Sequence, residues 1–162
     1  MRKILDLLKD REYFASLLNG ACLPGGGPID TLIGKRDLRV AVYRRTMPED
    51  TLLDNTEYWK SYIAKNGWTL AGIYCDEGNI NESRDNLLFA CRKKRIDLIL
   101  VRSISKLDRD LITVLSIVTE LARINPGVGI YCVDEDWYSL DPRDYMLLLE
   151  ITDMVEETNY YR

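Results

Sequence analysis

Histidine is missing from all 162 residues. Its absence removes every nucleophile that depends on a Ser–His or Cys–His pair, and most zinc sites with it. Chemistry in this chain must run on Arg, Lys, Tyr, hydroxyl or carboxylate groups. Cysteine is scarce, and Cys22, Cys75, Cys91 and Cys132 form no C-x-x-C pair. Neither a zinc ribbon nor a disulfide framework can be read from them, and buried free thiols are expected. No apolar run approaches the roughly 18 to 20 residues that cross a bilayer. The opening Met1-Arg-Lys-Ile-Leu-Asp6 brings an acidic residue where a secretory signal would be purely apolar. A cytoplasmic location without membrane contact is expected. A surplus of positive charge is also lacking: the formal net charge is −4. Taken alone, that argues against a polyanionic partner.

What is present alters that first impression. A composition of 46% hydrophobic and 30% charged residues is that of one globular domain with a real core. The charge is unevenly spread. Residues 84 to 109 hold eight bases (Arg84, Arg92, Lys93, Lys94, Arg95, Arg102, Lys106, Arg109) against three acids, a balance of +5. Residues 134 to 162 hold nine acids and two bases, a balance of −7.

From residue 37 onward, short apolar runs alternate with helical stretches, the pattern of β-α-β units around a mostly parallel sheet flanked by helices. Strands are expected over Leu38–Tyr43, Trp68–Cys75, Ile96–Val101 and Val128–Val133, the third buried on both faces because it is almost continuously aliphatic. Helices are expected over 51 to 65, stopped by Asn66-Gly67, over Asn86 to about Lys94, and over about 109 to 124. A long last helix opens at Asp141-Pro142, an N-cap followed by a proline suited to the first turn, and carries Met146, Leu147, Leu149, Ile151, Met154 and Val155 without a stop signal. Residues 1 to 36 read as a separate unit, an amphipathic helix followed by the joint Pro24-Gly-Gly-Gly-Pro28. That triple glycine lacks the following Lys-Ser/Thr of a phosphate loop and reads as a linker.

Ligands of an open parallel sheet meet the protein beyond the carboxyl ends of its strands, which singles out the loops 44 to 50, 76 to 85, 102 to 109 and 134 to 140. Three of them present cations: Arg44 and Arg45, Arg84, and Arg102, Lys106 and Arg109. Convergent guanidinium groups suit a phosphodiester, since their forks match its oxygens and stabilise added charge without a metal. The competing reading is ordinary surface arginines and a solvated helix end at Arg92 to Arg95.

The order and wording of these segments carry a resemblance. Arg39-Val-Ala-Val-Tyr-Arg-Arg45-Thr-Met47 resembles the opening Val-Ala-Ile-Tyr-x-Arg-x-Ser of the serine site-specific DNA recombinases, the resolvase/invertase family. Gly67-Trp-Thr-Leu-Ala-Gly-Ile-Tyr-Cys-Asp-Glu-Gly78 resembles that family's second-strand segment, which leads into a mobile loop ending in an active-site arginine. Asp97-Leu-Ile-Leu-Val-Arg-Ser-Ile-Ser-Lys106-Leu-Asp-Arg109-Asp resembles Asp-Leu-Ile-Leu-Val-Lys-Ser-Leu-Ser-Arg-Phe-Gly-Arg-Asn. Val128-Gly-Ile-Tyr and Leu140-Asp-Pro142 match the last strand and the start of the long helix, so the likeness covers about 37 to 162 in order.

The resemblance implies a resolvase-like catalytic domain and DNA strand cleavage and exchange through a phosphoserine intermediate. It implies Arg45 beside the nucleophile, Arg84 after the mobile loop and Arg109 as the second arginine of the third motif. Lys106 stands where that motif has its first arginine, and Ser105 where some members place an acid. Met47 occupies the serine position, and a thioether has no proton to lose and forms no phosphate ester. Strand exchange is therefore expected to be lost, with Thr46 a weak substitute because adjacent residues of a strand point to opposite sides.

No cofactor or metal is expected. DNA contact is expected to be weak and directed at the phosphate backbone, because neither a helix-turn-helix nor a zinc-ribbon pattern is present. Self-association, or pairing with an intact recombinase through the last helix as a non-catalytic module, is the alternative role. A third reading, a Mg²⁺-dependent phosphotransferase built on Asp76, Glu77, Asp134, Glu135 and Asp136, sets these acids against their commoner use as caps and turn residues.

Overall fold

The computed structural model describes residues 37–46, 55–125, 127–141 and 150. Strand β1 (Arg39–Thr46) is followed by α1 (Thr56–Lys65), β2 (Thr69–Glu77), α2 (Glu82–Arg92), β3 (Leu98–Val101), the short α3 (Ile104–Leu107), α4 (Leu111–Ala122), β4 (Gly129–Cys132) and β5 (Trp137–Tyr138). The strands form one sheet in the order β2-β1-β3-β4-β5. The first four are parallel and β5 runs antiparallel to β4. This is the α/β class expected from the alternation of elements. The amphipathic segment 1–36, Cys22, Met47 and the long last helix lie outside the described residues.

Period-2 alternation divides the core between the two faces of the sheet. Ala41, Tyr43, Ile99, Val101, Ile130 and Cys132 pack with Leu87, Cys91, Val114, Val118 and Leu121 of α2 and α4. Val40, Val42, Leu98, Leu100 and Tyr131 meet Trp59 and Ile63 of α1, together with Trp68 and Tyr138, on the other face. All four residues of β3 are buried, as a central strand covered on both sides requires.

Where elements begin, the structure departs from the sequence pattern. Helix α1 starts at Thr56 rather than near 51, because Asn55 is extended (φ −105°, ψ 164°) and its side chain accepts from the Tyr58 amide. Helix α2 starts at Glu82, four residues before the expected Asn86, so more than half of the expected 76 to 85 loop is strand end or helix. The 134 to 140 loop contains β5. Its turn is made by Asp136 at φ +48°, whose carboxylate accepts from the Tyr131 hydroxyl. Cys91 and Cys132 are buried thiols, whereas Cys75, on edge strand β2, is exposed.

Helices α1 and α2 end in the same motif with different residues. After α1, Gly67 (φ +74°) donates to Ala64 and Trp68 to Ile63. After α2, Lys94 (φ +58°) donates to Cys91 and Arg95 to Ala90. This double closure requires a left-handed residue, which costs a side chain with a Cβ about 1–2 kcal/mol and glycine almost nothing. Lys94→Gly should therefore raise stability by up to about 1 kcal/mol and Gly67→Ala lower it by about 1 kcal/mol. Urea unfolding midpoints at unchanged m-value check both.

Candidate active site

Strands β1 and β2 outrun their neighbour. β3 pairs with β1 only from Val40 to Tyr43, while β2 accompanies β1 to Thr46. The overhang exposes the β3 side of Arg44–Thr46, and the chain between β3 and α4 folds against it. Alternation sends Arg45 to the face of Tyr43.

There Arg45 is buried, with 8% of its surface exposed. Nε donates to the Lys106 carbonyl (2.9 Å), Nη1 to the carbonyls of Gly78 (2.7 Å) and Ile80 (2.8 Å), and Nη2 to the Tyr43 hydroxyl (2.7 Å) and Asn81 Oδ1 (2.6 Å). A guanidinium has five N–H bonds, and all five are engaged. The guanidinium also lies 5.6 Å from the centre of the Tyr43 ring. Arg45 thus joins the end of β1, the 78–81 turn and the last turn of α3.

The Tyr43 hydroxyl accepts from Arg45 and donates to Asp76 Oδ2 (2.8 Å). Burial first, and then the bond to Asp76, hold this phenol well above the ordinary tyrosine range, so it stays protonated. Asp76, 3% exposed, caps α2 from the neighbouring strand. Its Oδ1 accepts from the Ser83 amide and its Oδ2 from the Arg84 amide, both at 2.9 Å, while the formal N-cap Asn81 makes no side-chain cap bond. Burial would raise the Asp76 carboxyl. The Ser83 amide, the Tyr43 hydroxyl, the Arg84 amide and the Arg45 charge outweigh it and leave the group below the ordinary aspartate range.

Arg84 is also buried, in the first turn of α2 rather than in a loop. Nη1 donates to the Leu107 carbonyl (2.6 Å) and pairs with Asp108 Oδ2 (2.9 Å). Its Nε is buried and has no hydrogen-bond partner among the described residues. Asp108 Oδ1 accepts from the Asp110 amide (2.8 Å). Burial would raise the Asp108 carboxyl, but that amide and Arg84 hold it low.

The remaining site candidates sit on the outer part of the same segment. Lys106 is half-buried and reaches Arg45 through its backbone carbonyl; Ser105 is exposed, its hydroxyl 3.2 Å from that of Ser103. Arg109 is exposed and directly follows Asp108 in the chain. The structure therefore brings Arg45, Arg84 and the backbone of 106–108 together and leaves the side chains of Ser105 and Arg109 outward. Met47 is outside the described residues. The Thr46 hydroxyl lies 3.5 Å from the Asp76 carbonyl.

Several residues of this centre escape a sequence reading focused on cations: Tyr43, Asn81 and Asp108. The only prior signal was Asp108 itself, a carboxylate where the quoted third motif has glycine. Of the five acids weighed as metal ligands, Asp76 is engaged as described and three more are occupied. Asp134 pairs with Arg102 (2.8 Å), Glu135 Oε1 accepts from the Ser103 hydroxyl (2.6 Å) and the Ile104 amide (3.1 Å), and Asp136 holds Tyr131. Among the described residues no group of three or more possible ligands gathers for a metal ion, and no helix is long and apolar enough to cross a membrane.

The parallel sheet, the overhanging strand pair and the arginines at its end define a resolvase-type α/β fold. The family model for the resolvase N-terminal domain matches residues 39–160, and the chain belongs to that family. Two solved structures share the fold. The N-terminal catalytic domain of TP901-1 integrase superposes with a TM-score of 0.65 at 17% identity, over 76% of this chain and 98% of that one. The C-terminal catalytic domain of ISC1926 TnpA, an IS607-like serine recombinase, superposes with a TM-score of 0.51 at 14% identity, over 74% and 99%. No curated protein matches the sequence.

Asp76 provides a test of how much the centre depends on charge. Its folded pKa is depressed, so its contribution to stability is complete above the unfolded value and fades as pH falls through the folded one. Asp76→Asn should cost about 1–3 kcal/mol at pH 7, the penalty for degrading bonds to two helix amides and a buried hydroxyl. The cost should shrink as pH falls below the ordinary aspartate range, because the unfolded chain's carboxyl takes up its proton there while the native one still holds its charge, and should reach its floor only once the native carboxyl is protonated too. Urea unfolding of both proteins at pH 7 and near pH 3 measures the difference; an equal cost at both would show that charge is not what Asp76 supplies.

Proposed function

We propose that this domain is a recombinase-fold subunit that contacts DNA through phosphates without cutting it, and that it acts by associating with copies of itself or with an intact recombinase. Met47 carries this reading: it stands where the family's motif has the attacking serine, and a thioether cannot become a phosphoester. The arrangement of the cations supports it. Arg45 has every donor spent on protein acceptors, so it offers nothing to a phosphate unless the 78–81 turn moves. Lys106, replacing a forked arginine, keeps charge but not bidentate geometry.

Arg45, Met47, Arg84, Ser105, Lys106 and Arg109 make up the proposed site, with Lys106 and Arg109 as its outer, DNA-facing cations. Two to three phosphate contacts would make binding to random duplex fall about 10- to 40-fold between about 50 and 200 mM salt. A preference for one short sequence would argue against a backbone-only contact.

Covalent chemistry has a direct assay. Incubated with nicked suicide substrates, the native chain should give no protein-linked DNA on a denaturing gel, and Met47→Ser should restore little. Loss of one transition-state donor typically costs about 10²- to 10³-fold in rate, so Lys106 alone would keep the single variant slow. A band from the native chain would contradict the reading and point to Thr46. A strong band from Met47→Ser would show that Met47 is the only lesion.

A further inference from the structure

Arg84 is the one inner cation with a donor to spare. Nη1 is used twice, on the Leu107 carbonyl and on Asp108 Oδ2, while Nε is buried without a partner among the described residues. An unpaired buried donor on a charged group is costly, so it is informative where one persists. The guanidinium plane therefore has an unfilled bonding position on one side and a carboxylate on another.

That carboxylate departs from the motif. The third motif, as it is written for the family, has glycine between its two basic residues, and Asp108 stands there. A glycine would leave Nη1 with the Leu107 carbonyl alone. The aspartate places on Arg84 an oxyanion of the charge and hydrogen-bonding character that a phosphate oxygen would bring. It is also fixed from behind, because its other oxygen accepts the Asp110 amide and Asp110 in turn caps α4 through the Ile112 amide. The ion pair is three-quarters or more shielded on both sides, at 11% and 25% side-chain exposure, so water does little to weaken it.

We infer that Arg84 is an oxyanion site for a phosphate group and that Asp108 occupies it as a built-in competitor, so that a phosphate binds Arg84 only when Asp108 is displaced. This rests on the phosphate-contact reading above but makes a separate claim. A ligand that must evict a resident has its apparent affinity lowered by the fraction of open site. Asp108 thus sets a threshold for DNA at the inner cations while Lys106 and Arg109 remain outside it.

Asp108→Asn is the informative substitution. Its Oδ1 can still accept the Asp110 amide, but its uncharged amide no longer competes for the guanidinium. Asp110→Asn removes the same unit of charge two residues away and keeps a good N-cap. Fluorescence anisotropy of a labelled random 20-base-pair duplex, about that length, measures affinity at low salt. Asp108→Asn should bind about tenfold tighter than the native chain, the scale expected for removing a charge-assisted bond, and Asp110→Asn less than about threefold. The gain should vanish in an Arg84→Gln background shown by thermal melting to be folded. Equal gains from the two aspartates, or a gain that survives without Arg84, would overturn the proposal.

A second readout needs neither DNA nor an altered arginine. In ¹⁵N-edited NMR, inorganic phosphate should shift the Arg84 Nε–H resonance in Asp108→Asn at concentrations that leave the native chain unshifted. Equal shifts in both proteins would overturn the competitor role. If this difference appears while neither protein binds duplex DNA, the phosphate site stands and the DNA reading fails.

Discussion

The centre of this molecule is organised by one saturated guanidinium. Arg45 is driven inward by strand alternation from Tyr43, and a charge that cannot be discharged must be satisfied where it lands. Its fixed fork meets five acceptors drawn from β1, from the turn before α2 and from the backbone of α3. Those acceptors are mostly backbone carbonyls, so the side chain holds the path of the chain rather than individual side chains. The turn between β2 and α2 has its place because Gly78, Ile80 and Asn81 all face the same cation.

A second constraint follows from where helices begin. In an open parallel sheet, helix N-termini and strand carboxyl ends converge, and this concentration of free amides favours negative charge. Here the protein supplies that charge from its own side chains. Asp76 holds the amides of Ser83 and Arg84 at α2, Glu135 that of Ile104 at α3, and Asp108 that of Asp110 ahead of α4. Asp76 acts on the helix that follows its own strand and Asp108 within its own loop, whereas Glu135, beyond β4, reaches the helix after β3 and ties two successive β-α units together. Four of the five acids that suggested a Mg²⁺ site are thus committed elsewhere, Asp76 and Glu135 to helix amides, Asp134 to an ion pair with Arg102 and Asp136 to the Tyr131 hydroxyl.

Much of the sheet was legible in the sequence because apolar alternation is a local signal: β1, β3 and β4 lie where Val, Ile and Leu cluster, and Asn66-Gly67 ends α1 as expected. The start of α2 was not legible, since its cap is Asp76, separated in sequence and reaching across from β2. The residue at the N-cap position, Asn81, makes no cap bond, and nothing in the local pattern marks an aspartate at the end of the preceding strand as the cap. β5 was missed for a similar reason, being only two residues whose pairing depends on a turn at Asp136 with φ +48°. Within the site, Arg45, Arg84, Lys106 and Arg109 could be named from motif order. Whether a guanidinium is free or spent depends on carbonyls contributed by distant turns, and side-chain identity says nothing about those.

The cations of the strand ends consequently form two groups with different physical roles. Arg45 and Arg84 are buried, and each is bonded to the 106–108 backbone, Arg45 at Lys106 and Arg84 at Leu107. Any movement of that segment would therefore loosen both arginines together, while Tyr43 and Asp76 couple them from the β2 side through a hydroxyl and a helix cap. Arg109 and the half-buried Lys106 ride on the outside of the same segment. A polyanion attracted by the outer pair would pull on the very backbone that holds the inner pair closed. The basic stretch from 84 to 109 is thus divided between buried cations that hold the chain's path and outer ones carried on the same segment, a distinction that its net charge alone does not express.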